Sequence, residues 1–216
     1  MKTDITANPF ESGPDELLQL ALEECVKRQR FDRRVSVLVM PALNCDTASQ
    51  FAQMGAQVTL ADDPACKKEI EGRILASGLR DEMTFVPYQL PDLPNSPDGE
   101  PYDIVILRRS LCRVSYSEAK QVIRALMQKM RIGGKLYLSI LGLHSVLGED
   151  YPDGNLDICD RFCELAPAIA AKYHINYPVC LYTERNLFML LLESGASVLR
   201  TYTKTNGNVK AVAVRV

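Results

Sequence analysis

The sequence predicts an α/β fold: a seven-stranded, mostly parallel sheet with helices on both faces and an antiparallel last strand. Three observations carry this expectation. From Val35 onward, apolar β-rich runs alternate with amphipathic runs. The run over residues 102–107 is nearly all apolar, as a strand buried on both faces should be. Near the end, Asn206-Gly207-Asn208 is hairpin turn chemistry, so the two closing strands should pair antiparallel.

The first 13 residues are polar, and a helix is expected over 14–30, with Ser12 as N-cap, Pro14 in the first turn and a basic C-terminal end at Lys27, Arg28 and Arg30. Such a helix would pack on a sheet edge or cover a ligand mouth. Residues 1–34 thus form an N-terminal tail and helix. A βαβ unit follows: a strand over 35–40, a short turn from Pro41 to Asp46, an amphipathic helix running to Met54, and a second strand from Val58 ending at Asp62 and Asp63. Asp46 reads as a cap for the helix of this unit. A further helix over 64–77 has Pro64 just inside its start and Gly78 as its stop.

A third strand covers 83–86. Pro87, Pro91, Pro94, Pro97 and Pro101 then mark a surface loop. The fourth strand at 102–107 leads to a helix over 117–131 that Gly133-Gly134 should end, and a fifth strand covers 135–141. The alternation breaks over 142–181, read as an insertion with a turn-rich loop at 150–155 and a helix over 156–173. It resumes with a helix at 184–194, stopped by Gly195, and strands at 197–203 and 209–216. The whole chain is read as one domain.

At 216 residues, with 47% hydrophobic and 24% charged residues, the chain can bury a full core without a staple. A net charge of −2 gives no general basic footprint for nucleic acid. Arg108, Arg109 and Arg113 form only a local cluster. No apolar run is long enough to span a bilayer, so no membrane role is expected. Seven scattered cysteines without a CxxC pattern, and no secretory apolar region at the N-terminus, fit reduced thiols in a cytoplasmic protein. Cys159 and Cys163, at i, i+4, read as plain helix-face residues rather than metal ligands. The acids at 150–157 lack calcium-loop spacing and read as turn formers.

The segments Tyr102-Asp103-Ile104-Val105-Ile106 and Arg131-Ile132-Gly133-Gly134-Lys135-Leu136-Tyr137-Leu138, with the spacing between them, resemble the class I S-adenosylmethionine-dependent methyltransferases. Asp92-Leu93-Pro94, Tyr182-Thr183-Glu184, the run from Leu190 to Ala196 and the closing hairpin are similar to further parts of that Rossmann-like family. The resemblance covers most of the chain from Val35. It implies S-adenosylmethionine as cofactor, a small-molecule substrate, and cofactor contacts at Pro41, Ala42, Leu43, Asp62, Asp63, Gln89, Leu107 and Arg108. The departures lie in the first turn. The family's GxGxG places fall on Pro41, Leu43 and Cys45, and the acid often found at the end of the first strand falls on Val39. Gln89 stands where an acid usually reaches the adenine amino group, and its carbonyl can still accept that bond.

Each candidate has a plainer reading. Asp62, about 20 residues past the first turn, suits a ribose ligand or a helix cap ahead of Pro64. Arg108 and Arg109 suit an anion site or a solvated surface pair. His144, just past the fifth strand, is the candidate general base, with a structural histidine as the alternative; His174 is a weaker candidate. The tyrosines at 151, 173, 177 and 182 line a pocket or pack the insertion's own core. Two functions follow: a methyltransferase acting on a small molecule with the insertion as substrate lid, or a catalytically inactive methyltransferase-like binding or partner protein. A nicotinamide dehydrogenase is a distant third, since GxGxxG is absent.

Overall fold

Alternate residues of the central strands enter two separate cores, and this sets the layers. The fold is that of a computed structural model that describes residues 15–31, 34–90, 93–94, 96–97 and 99–216. In chain order the elements are α1 (Glu16–Gln29), β1 (Ser36–Met40), α2 (Asp46–Gln53), β2 (Gln57–Asp62), α3 (Lys67–Ser77), β3 (Met83–Pro87), β4 (Tyr102–Arg108), α4 (Tyr116–Lys129), β5 (Met130–Ile140), α5 (Pro167–Tyr173), α6 (Glu184–Glu193), β6 (Ala196–Thr203) and β7 (Val209–Arg215). The sheet has seven strands in the order β3-β2-β1-β4-β5-β7-β6, and β7 runs antiparallel to both of its neighbours. Val37, Val39, Leu60, Ile104 and Ile106 face α1, α2 and α3, while Leu38, Met40, Val105 and Leu107 face α4, α6 and the insertion. That alternation is the period-2 geometry of strands covered on both faces.

Helix α1 lies across the face of the sheet rather than at an edge, and buried charge ties it down at both ends. Arg28 near its C-terminus reaches Asp103 at 3.4 Å, and Lys135 of β5 reaches Glu24 at 2.7 Å. Asp103, fully buried, also accepts the Ser36 backbone N–H at 3.1 Å. The N-cap of α1 is Asp15, which accepts the Leu17 N–H at 3.2 Å. Ser12 and Pro14 lie outside the described residues.

Several expectations are corrected. Asp46 is the first residue of α2, not its cap. Cys45 holds the cap position with no side-chain bond to the helix. Asp63, not Asp62, caps the turn at Pro64–Cys66 that leads into α3, accepting the Ala65 N–H at 2.8 Å. The helix read over 117–131 stops at Lys129, ahead of the glycine pair, because Met130 is extended and pairs with Tyr102. Gly134 answers a different need: a Cβ there would come 2.7 Å from the Arg131 carbonyl oxygen and 3.1 Å from that of Tyr102. The helix read over 156–173 shrinks to α5, which begins at Pro167. A proline ring clashes with the preceding turn inside a helix and is tolerated at its first position. Cys159 and Cys163 therefore share no helix face. Cys163 pairs with Val179 in an isolated antiparallel bridge.

The insertion is anchored at the carboxyl ends of β4 and β5. The Cys180 N–H donates to the Cys112 carbonyl at 2.8 Å, the Leu143 N–H donates to Tyr182 at 2.8 Å, and buried Arg161 donates to the Leu181 carbonyl at 3.1 Å. Where the chain leaves β5, backbone meets backbone. A Cβ on Gly142 would lie 1.7 Å from the Gly207 carbonyl oxygen, and a Cβ on Gly207 would lie 2.4 Å from the Ser145 Cα. Gly207 also has φ +82°. Gly207→Ala is therefore expected to cost about 2–3 kcal/mol, from left-handed strain plus displacement of the 142–145 turn. Urea denaturation checks it: a midpoint equal to wild type would mean the two turns are not interlocked.

Candidate functional site

The strand order reverses between β1 and β4, and the carboxyl edge at such a switch point is where open α/β sheets bind ligands. A cavity of about 270 Å³ opens there. It is lined by Pro41 after β1, Asp62 and Asp63 at the β2 tip, Tyr88, Gln89 and Leu90 after β3, and Ser110, Arg113 and Val114 after β4. This volume falls just below the usual range for small-molecule sites.

The first turn explains the narrowness. Asp62 Oδ2 accepts the backbone N–H of Ala42 at 2.9 Å and of Leu43 at 3.3 Å, while Oδ1 accepts the Asp63 N–H at 2.8 Å. The β2 carboxylate thus folds the turn over the end of β1. The turn begins at the cis Met40–Pro41 bond, and Leu43 and Cys45 have φ of 51° and 68°. These left-handed conformations come readily to glycine and cost a residue with a Cβ roughly 1–2 kcal/mol. The backbone shape of a glycine-rich turn is retained while its side chains are filled in. Cys45 is buried in the core beneath α2, and burial pushes its thiol up to about 11, so it stays neutral.

Of the residues expected to hold a cofactor, Pro41, Asp62, Asp63 and Gln89 line this cavity. Ala42 and Leu43 take part through their N–H groups, which Asp62 occupies. Leu107 is fully buried. Arg108 is also buried, and points toward α1: its guanidinium meets Asp15 Oδ2 at 2.5 Å, and the buried Lys210 of β7 meets Asp15 Oδ1 at 2.9 Å. Arg109 is only 1% exposed, with φ 55°, so the reading of Arg108 and Arg109 as a solvated pair is overturned. His144 is exposed in the turn after β5, its carbonyl against Gly207, and is not among the residues lining the cavity. His174 ends α5 in a left-handed conformation.

Sequence reasoning missed Tyr88, Leu90, Ser110, Val114 and Asp15. The first two flank Gln89 at the exit of a strand, which was an available signal. Asp15 follows Pro14 at a helix start, where an acid is a routine cap. Arg113 was seen only as part of a basic cluster, yet it lines the cavity with its guanidinium 4.9 Å above the Tyr177 ring of the insertion.

Two predictions follow from this geometry. Burial pushes the Asp15 carboxyl up, but Arg108, Lys210 and a backbone N–H outweigh it and hold the group below the ordinary 3.8. A lowered folded value means that its contribution to stability is complete above pH 3.8 and is lost as pH falls through the folded value. The urea midpoint should fall between pH 5 and pH 3, and Asp15→Asn should flatten that fall. The second concerns Leu43. Leu43→Gly should stay within about 0.5 kcal/mol of wild type, whereas β-branched Leu43→Ile should cost about 1–2 kcal/mol, because only the latter deepens the left-handed strain. Equal stabilities would remove strain from the account of this turn.

No protein-family model matches the chain, and no curated protein matches it in sequence. Many solved structures match it in fold. An S-adenosylmethionine-dependent methyltransferase from Methanosarcina mazei is 16% identical with TM-score 0.66, over 88% of this chain and 97% of that one. An O-methyltransferase family protein from Burkholderia thailandensis is 15% identical with TM-score 0.61, over 92% of this chain and 56% of that one. PigF, solved with S-adenosylhomocysteine, is 13% identical with TM-score 0.60, over 93% of this chain and 56% of that one. The chain thus spans little more than half the length of several of these proteins. Its fold is that of the class I S-adenosylmethionine-dependent methyltransferases. Among the described residues, no helix is long and apolar enough to cross a membrane.

Proposed function

We propose that the chain binds S-adenosylmethionine in the cavity at the switch point and transfers its methyl group to a small molecule. The observation that carries this reading is the convergence of four strand ends on one cavity, with an acid pair at the β2 tip and Gln89 beside it. The residues fit the group by chemistry. Asp62 and Asp63 would take the ribose hydroxyls, for which ionised carboxylates are strong acceptors. The Gln89 carbonyl would accept from the adenine amino group, with Tyr88 and Leu90 as apolar walls. Bound there, the cofactor would supply an electrophilic methyl group on a sulfonium.

The chain's own part is then orientation and exclusion of water, which methyl transfer by in-line displacement needs more than acid–base groups. The insertion over 142–181, anchored at the ends of β4 and β5, would close the acceptor side as a lid. The acceptor's proton would leave to solvent or to His144, whose exposed position in the turn after β5 suits an acceptor reaching beyond the cavity.

A second reading has its own support. Asp62 is bonded to the turn through the Ala42 and Leu43 N–H groups, and that favours a methyltransferase-like protein that binds without catalysing. Calorimetric titration with S-adenosylmethionine and S-adenosylhomocysteine separates the two. The methyltransferase reading expects micromolar heats for both, with Asp62→Ala weakening them about tenfold to hundredfold, the scale of a hydrogen bond to a charged group. Unfolding of the variant is measured alongside, since Asp62 also holds the turn. Silence for both ligands in the wild-type chain would overturn this reading and leave the second.

A further inference from the structure

We propose that Arg113 is a carboxylate-binding residue of the switch-point cavity and selects a small carboxylic acid as the acceptor; this rests on the methyltransferase reading. Arg113 ends the helical turn Ser110–Arg113 that follows β4. Among the described residues lining the cavity it is the one base, opposite the acids of the β2 tip. Two features distinguish it from the other arginines near this edge. Arg108 is neutralised by Asp15, and Arg109 is buried in the interior. Among the described residues, by contrast, no carboxylate pairs with Arg113. Its guanidinium lies over the face of Tyr177, 4.9 Å from the ring centroid.

Stacking of this kind holds a guanidinium in place without neutralising it. The planar fork remains available for a bidentate bond to a carboxylate. Tyr177 belongs to the insertion, so the insertion positions the cation at the cavity mouth. The charge layout also separates the two ends of the site. Asp62 and Asp63 repel an anion from the β2 side and suit hydroxyls or a cation. Arg113, after β4, is where an anionic group can settle. Ser110, 4% exposed, sits beside it on the same wall.

The same chemistry could be met by the carboxylate of the cofactor's amino-acid tail, and the test separates the two sources. Binding of 4-hydroxybenzoate and of its uncharged amide is measured by calorimetry on the full chain, with and without saturating S-adenosylhomocysteine. Binding of S-adenosylhomocysteine is compared with that of methylthioadenosine, which lacks the carboxylate. Each titration is run on wild type, Arg113→Gln, Arg113→Lys and Tyr177→Ala. The proposal expects the acid to bind at least tenfold more tightly than the amide, and Arg113→Gln to abolish that preference. Arg113→Lys, with charge but no fork, should keep part of it. Tyr177→Ala should weaken it while leaving methylthioadenosine unchanged.

If Arg113→Gln instead weakens S-adenosylhomocysteine but not methylthioadenosine, Arg113 still binds a carboxylate but not the acceptor's, and the acceptor assignment is overturned. If the acid and the amide bind alike and Arg113→Gln changes nothing, the proposal fails, while intact S-adenosylhomocysteine binding would leave the methyltransferase reading standing. An Arg113-dependent preference for the acid in a chain that ignores S-adenosylhomocysteine would uphold the residue's role and sink that reading instead.

Discussion

The Asp62 carboxylate holds the first turn against the end of β1, and the shape of the whole carboxyl edge depends on that bond. Two backbone N–H groups, on Ala42 and Leu43, converge on one oxygen, and the neighbouring Asp63 N–H takes the other. Paired in this way, backbone donors at a strand end do not need glycine or a bound anion to satisfy them. The same bond sets how far Pro41 intrudes on the cavity, so the acid that would grip a ribose also governs the room available for one. A ligand entering here competes with the turn for a single group. The affinity of the site is then a difference between two sets of bonds to one carboxylate rather than the sum of new ones.

The turn also shows where a one-dimensional pattern stops being informative. The sequence places the turn and the acid about 20 residues on, because strand and helix periods and their spacing survive any choice of surface residue; the glycine pair read as a helix stop lies instead within β5. What the pattern cannot carry is backbone conformation without its usual residue. Leu43 and Cys45 keep positive φ with Cβ atoms in place, so the absence of glycine from the sequence does not mean the absence of its geometry. In the same way, the helical spacing from Leu156 to Tyr173 was legible, but Pro167 in its midst decides the outcome and leaves only the last seven residues helical. The burial of Arg108 and Arg109 was not legible at all. Asp15, the partner of Arg108 and 93 positions away from it, is brought to β4 only by the path of α1 across the sheet.

Helix α1 runs opposite to β4, with Asp15 held by Arg108 and Lys210 at one end and Arg28 held by Asp103 at the other. Breaking one partner of a buried pair leaves an uncompensated charge, while replacing the whole set by apolar groups is often tolerated. Arrangements of this kind therefore specify register more than they add stability. Here the register is that of a helix against the strand whose far end opens onto the cavity, so the Arg108 guanidinium stays turned toward α1 and away from the site, leaving Arg113 as the cation among the described lining residues.

The backbone contact between Gly142 and Gly207 sets the order in which a newly made chain can be completed. Domains tend to fold from the N-terminus as they emerge from the ribosome. Strands β3, β2, β1 and β4 are all adjacent in the sheet and are made before residue 110, so the edge that carries Asp62, Asp63 and Gln89 can assemble early. Strand β5 has no second neighbour until β7, the last of the sheet's seven strands in chain order, pairs with it. The turn at 142–145 likewise lacks the surface it rests on until Gly207 has left the exit tunnel. During synthesis the β3–β4 side of the sheet can stand finished while the insertion still waits, beside an open strand edge, for the β6–β7 hairpin.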